Sequence, residues 1–195
     1  MNIYHYWIKF GQYDVNLQSI KFVGIMIKYI KNEKHYELLL EQVSKVKHTL
    51  WIGTADLKDL YIKKQDSTMP FLELLEQKIK KGVSVRLLHA KEPGENFRND
   101  FDQYPALWNG LERALCPRIH FKIIVFDMET VYIGSANLTG AAFGMKSERN
   151  RNFEAGIYTD DMILVEEAIN QFDEIWIGKF CKNCGRKDVC KDRIV

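Results

Sequence analysis

Apolar positions along the chain recur in two periods, and their alternation sets out the expected elements. Residues 36–46 place Leu38, Leu39, Leu40 and Val43 along one side of a helix. Residues 49–53 follow as a short apolar strand. Pro70 stands where a helix N1 belongs, ahead of Phe71, Leu72, Leu74, Leu75 and Ile79, and Gly82 occupies the position of a C′ glycine. Residues 83–89 read as the next strand, so strand, helix and strand predict a right-handed βαβ unit with neighbouring parallel strands. Residues 118–126 alternate and are rich in β-branched and aromatic side chains, so they read as a strand of period two. His120, Lys122, Ile124 and Phe126 point to one face, and Phe121, Ile123 and Val125 to the other. The polar run Asp127-Met128-Glu129-Thr130 then predicts a tight connection to a second strand at 131–133. A further strand is expected over 153–158 and an amphipathic helix over 162–176. The class is α/β.

Two segments lack such periodicity. Residues 91–117 contain Pro93, Gly94, Pro105 and Gly110 and read as a long irregular connection, of the kind that lies over a site as a lid or wall. Residues 1–32 are rich in Tyr, Ile and Lys. Their apolar run 22–27 is far too short to cross a bilayer and reads as an edge strand or helix packed on the core, with membrane-surface contact as the alternative. No signal-peptide layout with a small-residue cleavage site is present, so a cytoplasmic protein without a transmembrane segment is expected. The chain divides into an N-terminal extension (1–35), a catalytic domain (36–178) and a Cys-rich tail (179–195). At 195 residues and 46% apolar content it can fill a single core.

Chemistry concentrates on the hairpin. His120, Lys122, Ser135 and Asn137 bring an imidazole, an ammonium, a hydroxyl and a carboxamide to one strand pair, with Gly134 letting backbone approach a ligand. No acidic cluster suited to Mg²⁺ lies beside them. The run His120-x-Lys122, Asp127 and Gly134-Ser135-x-Asn137 resembles the HKD signature of the phospholipase D superfamily. Its six specified positions have a chance expectation on the order of 10⁻⁸ per starting point, too small for coincidence. Asn152-Phe153-Glu154 matches the later segment in which family members carry a histidine-orienting acidic or amide residue. The resemblance covers about residues 36–178 and is nearest to single-motif, bacterial nuclease-like members. It implies an αβα sandwich with a mixed, largely parallel central sheet flanked by helices. It also implies a phosphodiesterase that works through a phosphohistidine on His120. Lys122, Asn137 and Ser135 would hold phosphate oxygens, Glu154 would hydrogen-bond the far nitrogen of His120, and Asp127 would position the hairpin and Lys122. Catalysis on this pattern needs no metal.

Most sites of the superfamily use two motifs, and this chain carries one. His89-Ala90-Lys91 is not a second: Asn96 stands where an aspartate is needed, and no Gly-Ser-x-Asn turn follows. His89 reads as capping its strand, and His5, His35 and His48 as surface or structural residues. A single motif implies a homodimer with one composite site, or a different HKD-bearing partner chain.

Substrate is less constrained. A net charge of +2 and a pI near 8.2 supply no overwhelming field for nucleic acid, but Lys146, Arg149 and Arg151 cluster between the Asn137 turn and Glu154. That favours a nuclease acting on DNA or RNA over a phospholipase or phosphatidyltransferase at a phospholipid surface. A non-catalytic nucleic-acid-binding module is the third reading. Separately, Cys181-x-x-Cys184 and Cys190 follow the last helix, and Cys116 precedes the HKD strand. In a cytoplasmic chain such thiols are expected to hold a structural zinc, with an iron–sulfur cluster using the same ligands and unmetallated thiols as the alternatives.

Overall fold

A computed structural model describes residues 7–10, 13–16, 24–58, 60–63 and 68–192. His5 and part of the 22–27 run lie outside the described residues. The strands in chain order are β1 (Trp7–Phe10), β2 (Tyr13–Asn16), β3 (Ile27–Lys31), β4 (Thr49–Thr54), β5 (Tyr61–Lys63), β6 (Thr68–Pro70), β7 (Ser84–His89), β8 (Leu111–Leu115), β9 (Lys122–Phe126), β10 (Thr130–Gly134) and β11 (Ala155–Thr159). The helices are α1 (Lys34–Lys45), α2 (Phe71–Lys80), α3 (Glu95–Asp102), α4 (Pro105–Gly110) and α5 (Met162–Trp176).

Seven strands form one sheet in the order β3-β11-β10-β9-β4-β7-β8. The β4–β7 and β7–β8 pairs are parallel and the other pairs antiparallel, so β3, β10, β4, β7 and β8 run one way and β9 and β11 the other. The hairpins β1–β2 and β5–β6 stand as separate two-stranded sheets.

The two faces bury different helices, which makes the αβα sandwich. On one, Leu39 and Val43 of α1 and Leu72 and Leu75 of α2 pack on Leu50, Ile52, Val85, Leu87, Ile124 and Phe126. On the other, Val165, Ala168 and Phe172 of α5 pack on Trp51, Leu88, Ile123, Val125 and Val131. The alternation read along residues 121–126 therefore divides between the two cores, as period two requires. Asp161 starts α5 by accepting the Ile163 and Leu164 N–H groups, the capping role short acidic residues favour. Buried Lys78 donates to the Ser44 and Val46 carbonyls, placing a cation at the negative end of α1.

Four expectations change. Residues 91–117 are not an irregular lid: they build α3, α4 and the edge strand β8, and Phe97, Leu107 and Leu111 enter the core. β8 escaped notice because an edge strand reading Leu-Glu-Arg-Ala-Leu has only its ends buried. Pro70 is the N-cap of α2 rather than N1, while Gly82, at φ +86°, terminates the helix as expected. The strand expected over 118–126 begins only at Lys122. Residues 116–121 must cross from the edge strand β8, over the ends of β7 and β4, to reach the place of β9, so they cannot pair there. Phe121 rides over Gly53 during that crossing, where a Cβ would stand 2.3 Å from its ring. Finally, the end of the N-terminal extension is part of the sheet, with β3 paired to β11.

Candidate active site

The topology gathers the hairpin chemistry at one end of the sheet. β9 enters there at Lys122, β10 leaves there at Gly134, β11 begins there after Glu154, and β4 ends there at Thr54. Lys122 is opposite Gly134 across the β9–β10 ladder, and Gly134 is opposite Gly156 across β10–β11. Both glycines are needed because the Tyr132 ring lies beneath them. A Cβ on Gly134 would come within 2.2 Å of the Tyr132 hydroxyl, and one on Gly156 within 2.5 Å of its ring. Burial pushes the Tyr132 phenol up, well above the ordinary tyrosine range. The Tyr132, His35 and Phe143 rings form an aromatic floor, with His35 edge-on to Tyr132 at 5.5 Å. Burial lowers the His35 pKa, and its Nδ1 donates to the Asn32 carbonyl at 2.8 Å. His35 is thus structural.

His120 lies just ahead of β9 and is exposed. Lys122 is 7% exposed, and its ammonium donates to the His120 carbonyl at 2.6 Å. Burial lowers the Lys122 pKa, against a smaller opposing pull from the Glu154 carboxylate. Among the described residues that carbonyl is its one hydrogen-bond partner, and a buried cation so incompletely compensated suits an incoming anion. Glu154 accepts hydrogen bonds from the Ser135 hydroxyl and from Asn152 Nδ2, the latter at 3.0 Å. Ser135 Oγ in turn accepts the Ala155 N–H at 3.0 Å. Among the described residues, no hydrogen bond joins Glu154 to His120. In this structure the Glu154 carboxylate is instead engaged on the β10 side, in a Glu154–Ser135–Asn152 cluster. Asn137 is set by Thr54, whose hydroxyl accepts the Leu138 N–H at 3.0 Å and stands 3.5 Å from Asn137 Oδ1.

Asp127 is elsewhere. It occupies the far end of β9 and accepts the backbone N–H groups of Lys47, His48 and Thr49 at 2.9, 2.7 and 2.9 Å. Burial alone would raise its pKa, but those three donors outweigh it and hold the carboxyl below the ordinary aspartate range. Its place among the site residues is corrected to that of a clamp on the turn between α1 and β4.

Of the loop cations, Lys146 and Arg149 are exposed, whereas Arg151 pairs with Glu33 at 3.2 Å. His89 is buried at the end of β7, donating Nδ1–H to the Lys91 carbonyl at 2.7 Å. The sequence reading missed Thr54, Arg118 and Arg186. Thr54 had a signal, since ligands of α/β sheets gather at carboxyl ends of strands. Arg118 and Arg186 had none, because only the fold brings both to an open crevice beside His120.

This sheet and this site define a domain built to present a histidine and a lysine beside a small amide-bearing turn. Residues 39–176 match the family model described as cardiolipin synthase, PLD-like domain, and the chain belongs to that phospholipase D-like family of phosphodiesterases. The fold resembles NucT from Helicobacter pylori (TM-score 0.59, 14% identity, 78% of this chain and 96% of that one). It also resembles the phospholipase D family member Nuc from Salmonella typhimurium (0.57, 19%, 78% and 95%). A third likeness is to TrmBL2, an archaeal chromatin protein with a novel mode of DNA binding (0.53, 17%, 82% and 55%). No match was found among curated protein sequences. No helix among the described residues is long and apolar enough to cross a membrane.

Proposed function

We propose that this protein is a metal-independent nuclease whose active site is completed by a second copy of the chain. The observation that carries the reading is a single His120–Lys122–Ser135–Asn137 set at one end of the sheet, in a chain with no second HxK motif followed by Asp and GSxN. In the reaction, a His120 ring nitrogen attacks phosphorus and forms a P–N bond while the P–O bond to the leaving group breaks. The partner's His120 gives that oxygen a proton, then takes one from the water that cleaves the P–N bond. An imidazole suits both roles because it gains and loses a proton near neutral pH. Lys122 and Asn137 hold the phosphate oxygens as charge builds in the transition state. Exposed Lys146 and Arg149 on the following loop, with Arg118 and Arg186 beside His120, favour a polyanionic substrate over a lipid headgroup.

Turnover on single-stranded DNA, duplex DNA, RNA and phospholipid vesicles, each with EDTA, tests the substrate. Nucleic-acid cleavage that persists in EDTA is expected; activity on vesicles alone would replace the nuclease with a phospholipase. Co-expression of wild-type and His120→Ala chains tests sharing, since mixed dimers should be inactive and activity should fall faster than the wild-type fraction. A fully active dilute monomer would contradict it.

A further inference from the structure

The C-terminal tail folds back instead of continuing away from α5. The chain turns at Gly178, with φ +74°, and returns to the end of β8. There the Asp192 carboxylate accepts the Leu115 N–H at 2.7 Å, and Cys190 Sγ donates to the Leu115 carbonyl at 3.7 Å. This return brings Cys181, Cys184 and Cys190 to Cys116, and all four thiols line one cavity of about 190 Å³ floored by Leu88, Ile119 and Trp176.

Little else holds the tail. Among the described residues, none from 177 to 192 is fully buried, and the only regular structure there is one 3₁₀ turn, Lys187–Val189. Ordering a polar segment without apolar burial leaves its conformational entropy cost unmet. Cys184, by contrast, has polar partners at its sulfur. Arg186 N–H donates to Cys184 Sγ at 3.4 Å, and the Arg118 guanidinium lies 4.0 Å from the same atom. As the side chains stand, no three His, Cys, Asp or Glu groups among the described residues converge closely enough to hold a metal. Each thiol is only partly buried, and bringing all four onto one ion requires χ1 rotation into the cavity they line.

We propose that Cys116, Cys181, Cys184 and Cys190 form a four-thiolate zinc site that fastens the tail to the end of β8. Zn²⁺ takes four thiolates tetrahedrally at about 2.3 Å, and binding displaces the thiol protons to solvent. A complete thiolate set leaves no position for substrate, so the metal is structural. Its effect still reaches the active site. Cys116 begins the crossing segment that carries His120, and Asn183 and Arg186 of the tail wall the crevice in which His120 and Arg118 stand. Zinc thereby fixes one side of the substrate approach. The proposal is independent of the nuclease reading.

Elemental analysis of the full chain, expressed with zinc and purified without chelator, is expected to give one zinc per chain. Titration of the wild-type protein with a mercurial should release that zinc as the four thiols react, which decides the matter even if cysteine variants misfold. Cobalt(II) in place of zinc should give sulfur-to-cobalt charge-transfer absorption, lost in Cys184→Ser. The His120→Ala chain should hold the same zinc whatever its activity. Far less than one zinc per chain with freely reactive thiols, a disulfide in the intact mass, or an iron–sulfur absorption spectrum would overturn the proposal.

Discussion

The two ends of β9 carry two halves of one sequence motif, yet they do opposite work. At the entry end His120 is exposed, and Lys122 is buried and donates to the His120 carbonyl. At the exit end Asp127 is gripped by three backbone N–H donors. Five extended residues separate them, roughly 17 Å of strand. One end is left short of partners and ready for an anion; the other is saturated and anchors a turn. Residues that are neighbours in a signature thus need not share a site.

The largest effect that would sharpen this contrast is expected at Lys122. Lys122→Met keeps length and packing but removes the ammonium, and should lower kcat by about 10²–10³-fold, the usual loss for one transition-state donor. Stability should hold or rise. Because burial lowers the Lys122 pKa in the folded state, its charged form opposes folding at neutral pH, and that handicap fades as pH rises through the lowered pKa. Thermal melts at pH 7 check it; a large drop in Tm would make Lys122 a structural residue.

Asp127→Ala should do the reverse. It removes an acceptor shared by three N–H groups and should cost about 1–3 kcal/mol, with kcat/KM within a few-fold of wild type well below Tm. Since the folded-state pKa is depressed, the stability Asp127 supplies is present above the ordinary aspartate pKa and is lost as pH falls through the lowered one. The stability gap between wild type and variant should therefore close in acid. A gap that persists at low pH would place the effect in the turn backbone, where Asp127 and Met128 adopt φ of 51° and 59°.

How far this contrast could be foreseen differs by element. The helix over 162–176 and the alternation of Ile123, Ile124, Val125 and Phe126 were legible because burial on one side or both writes itself into a period. The family was legible because the HxK and GSxN side chains have few substitutes. The separation of Asp127 from His120 follows from strand length alone. What could not be read were contacts made by sheet order. Nothing local in residues 111–115 says that they pair with β7, and nothing near Glu154 says that Ser135 will claim its carboxylate.

Next in size is Gly134→Ala, which probes the floor under the reactive end. Its Cβ would meet the Tyr132 hydroxyl at 2.2 Å and the Ala155 carbonyl at 2.8 Å, and the backbone contact cannot swing away. Overpacking of this kind costs about 1–3 kcal/mol. Because Gly134 faces Lys122 across the ladder, kcat should fall together with Tm, unlike either single-ended variant. Full activity with reduced Tm would show that the floor and the reactive groups are not coupled.

The smallest effect is the most diagnostic of charge at the entry end. Glu154 is the one carboxylate whose field raises the Lys122 pKa against burial. Glu154→Gln keeps an acceptor for Ser135 and Asn152 but removes that field, so Lys122 should lose its proton at lower pH. The alkaline limb of the kcat/KM profile should move toward neutrality while the acid limb stays in place. Were the acid limb to move instead, Glu154 would be acting on His120 after all, through a contact formed only with substrate bound.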